Sequence, residues 1–159
     1  MADLVRAQAG RLARRGGGRG PVREFLTFSL GDDVFGVDLA RIKEILSLPP
    51  ITLVPRAPPA IVGVCSVRGL LVSVMDLRLR LRLEARPRTR RSRILLVTTD
   101  PGEVVGLLVD EVRHVVRLSE DELELAPALA GDVSEHVLGV GRPRGEFIVL
   151  LDLAAVVEG

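Results

Sequence analysis

The residues able to do chemistry are few and badly spaced for it. His114 and His136 stand 22 residues apart, and Cys65 is the only cysteine, so no zinc-ligand spacing exists. His114 lies between Arg113 and Val115 in a strand-like run, where an exposed histidine is expected rather than a ligand. G-x-S-x-G, the Walker A pattern and H-E-x-x-H are all absent. Gly16-Gly17-Gly18-Arg19-Gly20 is glycine-rich, but no strand precedes it to hold a phosphate loop. The carboxylate pairs Asp32-Asp33, Asp110-Glu111 and Glu120-Asp121-Glu122 fall at turns, where turn and capping duty is expected. No nucleophile finds a base, and enzymatic activity is not expected.

Three charged features remain. Arg68-Gly69 joins two strongly apolar runs at a place where Asn-Gly or Asp-Gly would be usual. Glu44 is the one acid beside Arg41 and Lys43. An ion pair between Glu44 and Arg68 at the lip of a groove would unite them, although their separation in sequence does not establish it. The third feature is LRLRLRLEARPRTRRSR, Leu77 to Arg93, with eight arginines against Glu84.

The elements that must position these groups are mostly short strands. Phe25 to Leu30 and Val34 to Val37, bridged by Gly31-Asp32-Asp33, predict a hairpin. Asp38 is placed to cap a helix running to about Leu46, with Leu39, Ile42, Ile45 and Leu46 at helical spacing, and Pro49-Pro50 stops it. Short strands are expected at Ile51–Val54, Ile61–Val67 and Leu70–Met75. A second hairpin is expected from Ile94–Thr99 and Val104–Val109, then strands at Val112–Leu118, Val137–Val140 and Phe147–Leu151. Ser119 to Glu122 resembles a capping box, and Asp152 is placed to cap a last helix, Leu153 to Val157. The alternation at Leu77–Leu83 taken alone reads as a strand. Nine or ten strands between glycine and proline turns point to an all-β barrel or a pair of barrels with small helices.

Composition narrows the function. In 159 residues 47% are apolar, enough for a sizeable core, whereas aromatics are 3% with no Trp or Tyr. Platforms for stacking bases are therefore scarce. Net charge is +1: the arginines are balanced by ten acids between Asp100 and Glu135. A lone cysteine in an apolar run excludes a disulfide framework and fits a buried thiol in a reducing cytosol. No apolar run approaches the roughly 18 residues of a membrane span. Residues 1–23 read as a basic, flexible arm, within which Leu4–Leu12 could form an amphipathic helix.

At these residues the chain resembles the CheW family, the coupling proteins of bacterial chemotaxis. The family opens F-L-x-F-x-L-G, then G-V-D, matched by Phe25 to Gly31 and Gly36-Val37-Asp38. V-x-E-I is matched by Ile42-Lys43-Glu44-Ile45. P-x-x-I-x-G-V-x-N-L-R-G, then P-V-x-D-L-R, is matched by Pro58 to Gly69 and Val74 to Arg78. V-G-x-x-V-D-x-V is matched by Val105 to Val112, and L-x-G-V with L-D-L by Leu138 to Val140 and Leu151 to Leu153. Ser66-Val67 stands where the family has Asn-Leu, and Ser73 where it has proline.

The resemblance covers about residues 24–158. It implies an all-β fold with short helices: two SH3-like five-stranded β-barrel subdomains on a shared hydrophobic core, without enzymatic activity, metal or cofactor. The implied partners are the cytoplasmic tip of a chemoreceptor and the regulatory domain of a CheA-type histidine autokinase. Nucleic acid is not among them, and the membrane enters only through receptors, at the inner face of which a cytoplasmic protein would be recruited. Carried over by motif, Arg68 and Glu44 are expected as a charged pair at the receptor groove, lined by Ile42, Ile45, Gly63, Gly106 and Val112. Leu26, Val37, Asp38 and Ala40 are expected to face the kinase. The resemblance also turns the segment after Asp76 into a short turn or helix, placing Leu77 and Leu81 on one face, and leaves Arg86 to Arg93 in a variable loop. That loop reads as a solvated surface, a dock for an acidic protein surface, or a site for nucleic acid or anionic lipid. The functional alternatives are an adaptor that binds receptor without recruiting kinase, an adaptor in a non-chemotaxis kinase pathway, and a basic nucleic-acid-binding barrel, which steep salt dependence would reveal.

Overall fold

The structure, a computed structural model, describes residues 21–100, 102–125 and 135–158. The predicted N-terminal arm lies outside them up to residue 20, and its last two residues already belong to the first strand. The strands are β1 (Val22–Leu30), β2 (Asp33–Asp38), β3 (Ile42–Ser47), β4 (Ile61–Val67), β5 (Leu70–Asp76), β6 (Arg93–Thr98), β7 (Val104–Val109), β8 (Glu111–Ser119), β9 (Leu123–Leu125), β10 (Val137–Gly141) and β11 (Ile148–Leu151). Among the described residues two short helices, α1 (Leu77–Arg80) and α2 (Leu153–Glu158), follow β5 and β11.

The strands form two sheets. One has six strands in the order β8-β1-β2-β11-β10-β9, and the other five in the order β3-β6-β7-β5-β4. The expectation of five strands in each is met by the second sheet, while the first gains the three-residue β9. The chain begins in the six-stranded sheet, crosses to the other after β2, and returns after β7. Strands β8 and β9 lie at opposite edges of one sheet yet are joined by one 3-10 turn, Glu120–Glu122, so that sheet curls until its edges meet. Glu122 accepts hydrogen bonds from the Ser119 amide (3.2 Å) and hydroxyl (3.1 Å), which gives the turn the expected box-like start.

Each sheet buries both faces. Ile94, Leu96, Val72, Val74, Cys65 and Leu108 fill the five-stranded sheet, and Phe25, Val116, Leu118, Ile148 and Leu150 fill the six-stranded one. The opposite faces meet in a third core, to which Leu26, Phe28, Val37 and Val115 contribute from one sheet and Ile45, Leu95, Val97 and Leu107 from the other. Two-sided burial explains why Ile94–Val97 and Leu107–Val109 are unbroken apolar runs rather than alternating ones. Cys65 is buried, and loss of solvation pushes its thiol pKa up, as a packing residue rather than a nucleophile.

Two predicted elements differ. The helix from Asp38 to Leu46 is a 3-10 turn, Leu39–Arg41, followed by strand β3. The Asp38 carboxylate does cap it, accepting the Ala40 N–H at 2.9 Å. The cause of the error is a β-bulge between Ile42 and Glu44, which inserts Lys43. Ile42 and Ile45 therefore face the same core three positions apart, a spacing that imitates a helix. The Ile51–Val54 strand reduces to one bridge, Thr52 to Val64. The alternating Leu77–Leu83 run begins as α1, capped by Asp76 through the Arg78 N–H at 2.9 Å.

Candidate functional site

The hairpin of β4 and β5 turns on Arg68 and Gly69, with φ of +51° and +82°. Both residues of a two-residue turn are thus left-handed, the geometry for which Asn-Gly is usual and which an arginine adopts under strain. From there Arg68 reaches Glu44 on β3. Its Nη1 donates to Oε2 at 2.7 Å and its Nη2 to Oε1 at 2.5 Å, a bidentate fork. Glu44 lies on β3 and Arg68 directly follows β4, the outer strands of the five-stranded sheet, so the pair clasps the edges of the curled sheet. The Arg68 side chain is 71% exposed and that of Glu44 13%. The carboxylate is sheltered while one face of the guanidinium stays open. The hydrogen bonds from Arg68 lower the Glu44 pKa and keep it charged, and Glu44 raises that of Arg68.

The other residues assigned to the groove are placed differently. Ile45 is 4% exposed and belongs to the shared core. Gly63 is buried because Thr52 crosses it: a Cβ there would stand 2.1 Å from the Thr52 carbonyl oxygen. Gly106 is buried against Ile94, whose Cγ2 would lie 2.8 Å from such a Cβ. These three support the site from within and present no side chain to a partner. Ile42 and Val112 are half-buried at the margin of the shared core and keep some open surface. Beside Arg68, Leu70 and Leu71 are exposed at 69% and 76%.

Of the residues assigned to the kinase, Leu26 and Val37 are paired across β1 and β2 and buried in the shared core. Alternation turns their side chains inward. Asp38 is half-buried and engaged as a cap, and Ala40 is exposed. Beside them a cavity of about 230 Å³ lies between the sheets, with Arg23, Asp38, Arg41 and Asp152 at its walls. An exposed ion pair, Arg41 to Asp100 at 2.5 Å, borders it.

The arginine stretch divides. Arg78 is 5% exposed: its Nε donates to Asp110 Oδ1 at 2.9 Å, Nη2 to Asp110 Oδ2, and Nη1 to the Glu84 carbonyl at 3.0 Å. Asp110 Oδ2 also accepts the Gly31 N–H at 2.7 Å. Arg78 holds the Asp110 carboxyl below the usual range, and the Gly31 amide adds to that. Arg80 Nε donates to the Val156 carbonyl at 2.7 Å, a cation on the last turn of α2. Arg93 bonds the Arg90 and Ser92 carbonyls, both at 2.8 Å. Arg82, Arg86, Arg88, Arg90 and Arg91 are exposed, Arg91 lying 3.6 Å from Glu111. Sequence reasoning missed the internal use of Arg78 and Arg80, since nothing in a run of arginines marks which one turns inward. His114 is exposed as expected.

A family model described as "CheW-like domain" matches residues 24–159. The chain is 33% identical over 135 residues to "Chemotaxis protein CheW" of Rhizobium meliloti (strain 1021), covering 84% of this chain and 86% of that protein. It is 36% identical over 144 residues to "Protein FrzA" of Myxococcus xanthus, covering 87% of each. The crystal structure of scaffolding protein TtCheW from Thermoanaerobacter tengcongensis superposes with a TM-score of 0.79 at 27% identity, over 87% of this chain and 94% of that one. The shared order of motifs, the paired sheets and the match across nearly the whole described fold place this chain in the CheW-like family.

Proposed function

We propose that the chain is a non-enzymatic adaptor that couples chemoreceptors to a CheA-type histidine autokinase, working in the cytoplasm at receptor clusters. The observation that carries the receptor half is Arg68. A strained left-handed arginine sits where asparagine would fit better, with its fork on Glu44 and one face open to solvent. Strain kept at an exposed turn points to use of the side chain. The receptor surface is then Arg68 and Glu44 with the open parts of Ile42 and Val112, and Ile45, Gly63 and Gly106 hold it in shape. A helical receptor tip suits such a surface, since helices dock through apolar anchors while charges fix register. Among the described residues no helix is long and apolar enough to cross a membrane, which fits recruitment through receptors.

The kinase half rests on Asp38 and Ala40 at the start of the 3-10 turn, with Leu26 and Val37 as the packed floor beneath. One observation favours the second reading, an adaptor that binds receptor without kinase: two of the four assigned residues are buried. A nucleic-acid role is weakened because Arg78, Arg80 and Arg93 are engaged within the molecule.

The test is a pull-down at physiological salt against a receptor cytoplasmic fragment and, separately, the kinase regulatory domain. Binding of both is expected. Arg68→Asn is expected to lose receptor binding while the protein stays folded, because asparagine relaxes the turn and offsets part of the loss of the Glu44 fork. Binding of receptor alone would establish the second reading, and receptor binding undiminished in Arg68→Asn would overturn the role given to Arg68.

A further inference from the structure

The chain passes between the sheets twice, and the two crossings are built differently. The first, after β2, is the three-residue turn Leu39–Arg41, flanked by the exposed Arg41–Asp100 pair, whose side chains are 43% and 62% exposed. The second is a single residue: β7 ends at Val109, β8 begins at Glu111, and Asp110 stands between. The backbone of that one residue joins the five-stranded sheet to the six-stranded one.

Its carboxylate is held from both sides. Arg78, on α1 after β5, grips both oxygens, and Gly31, in the β1–β2 turn of the other sheet, donates its N–H. Gly31 has φ +64°, and a Cβ there would stand 3.3 Å from Arg78 Nη2, so the turn of one sheet packs against the guanidinium fixed to the other. The third donor bond of Arg78, to the Glu84 carbonyl, ties down the segment after α1. A planar fork fixes direction as well as distance, which a point charge does not.

We propose that Arg78 and Asp110 are positioning residues, which lock the one-residue crossing and, together with the shared core, set the orientation of the two sheets relative to each other. The Arg68–Glu44 pair belongs to one sheet, and β1 and β2 with Asp38 belong to the other. Val112, on β8, lies with Asp38 on the six-stranded sheet, so the lock sets the angle at which those residues stand to Arg68 and Glu44. The lock itself does not depend on which partners those residues take.

The experiment measures residual dipolar couplings on the isotope-labelled full-length protein, free of partners. In the native protein one alignment tensor is expected to fit both sheets. In Asp110→Asn and in Arg78→Lys, which keeps the charge without the fork, each sheet is expected to need its own tensor although its internal couplings are unchanged. Asp100→Asn, at the other crossing, is expected to keep the native orientation. Should Asp110→Asn fail to fold, the double variant Arg78→Met/Asp110→Leu replaces the pair by apolar groups of similar size, a change that generally preserves stability. A single native tensor in the folded Asp110 or Arg78 variants overturns the proposal. So does an equal loss of orientation in Asp100→Asn.

Discussion

Arg68 and Glu44 show how a pair distant in sequence becomes one group: the guanidinium is presented by a strained turn and the carboxylate by an edge strand behind a bulge. Two roles for the pair are separable, a clasp across the sheet edges and a charge offered to a partner. Charge exchange tests them. In Glu44→Arg and Arg68→Glu the pair is broken, and receptor binding is expected to fall in both. The double exchange restores an ion pair of opposite sense. If receptor reads the guanidinium at residue 68, the double variant stays defective in an affinity titration. Recovery to native affinity would mean that the clasp alone matters. At Gly63 the expectation is structural. Gly63→Ala drives a Cβ into the Thr52 carbonyl and should cost about 1–3 kcal/mol, the range for overpacking a filled site, measured by denaturant unfolding. A receptor defect in that variant would then follow from displacement of the 51–52 segment rather than from a lost contact.

At the level of elements, the β1–β2 turn, α1 and the β7–β8 junction are tied through Asp110. Its folded-state pKa is lowered, chiefly by the hydrogen bonds from Arg78. The stabilisation it brings is therefore complete above its unfolded value, about 3.9, and is lost as pH falls through the lower folded-state value. Unfolding measured between neutral pH and about pH 2 is expected to show a steeper acid loss in the native protein than in Asp110→Asn, which cannot titrate there. At neutral pH that variant is expected to be about 2–3 kcal/mol less stable. The cost stays below that of a fully buried broken pair because the Asp110 side chain retains 35% of its exposure. The strand β3 carries a second lesson. Its apolar residues have helical spacing in the sequence, but a bulge residue supplies the extra step, and only pairing with β6 reveals it.

For the whole molecule, the third core makes the two sheets interdependent. Leu107 is fully buried there, against residues from both sheets. Leu107→Ala is expected to cost about 2–5 kcal/mol, as large-to-small changes in filled cores do. The loss should appear in one cooperative transition, with amide exchange of β1 and β7 rising together. Two separate transitions would show that each sheet stands on its own small core. The charge of the molecule is also arranged internally. The run from Leu77 to Arg93 looks like a basic arm in sequence, yet Arg78, Arg80 and Arg93 are structural donors and the exposed remainder is a short loop.

By itself the sequence determined the strand-rich class, the first hairpin, the Arg68-Gly69 turn, the capping duty of Asp38, and, through ordered motifs, the family. Those features are local: turn chemistry, apolar runs and spacing within a few residues. The tertiary structure alone decided which arginine is buried, that Ile45, Leu26 and Val37 face inward, that Gly63 and Gly106 are filled by neighbouring chain, and that Glu44 meets Arg68. Each of these depends on a partner outside the local stretch of chain, or on which face of a two-sided strand a side chain takes. An apolar residue in a strand buried on both faces carries no mark of the core it joins, because either face would bury it equally well.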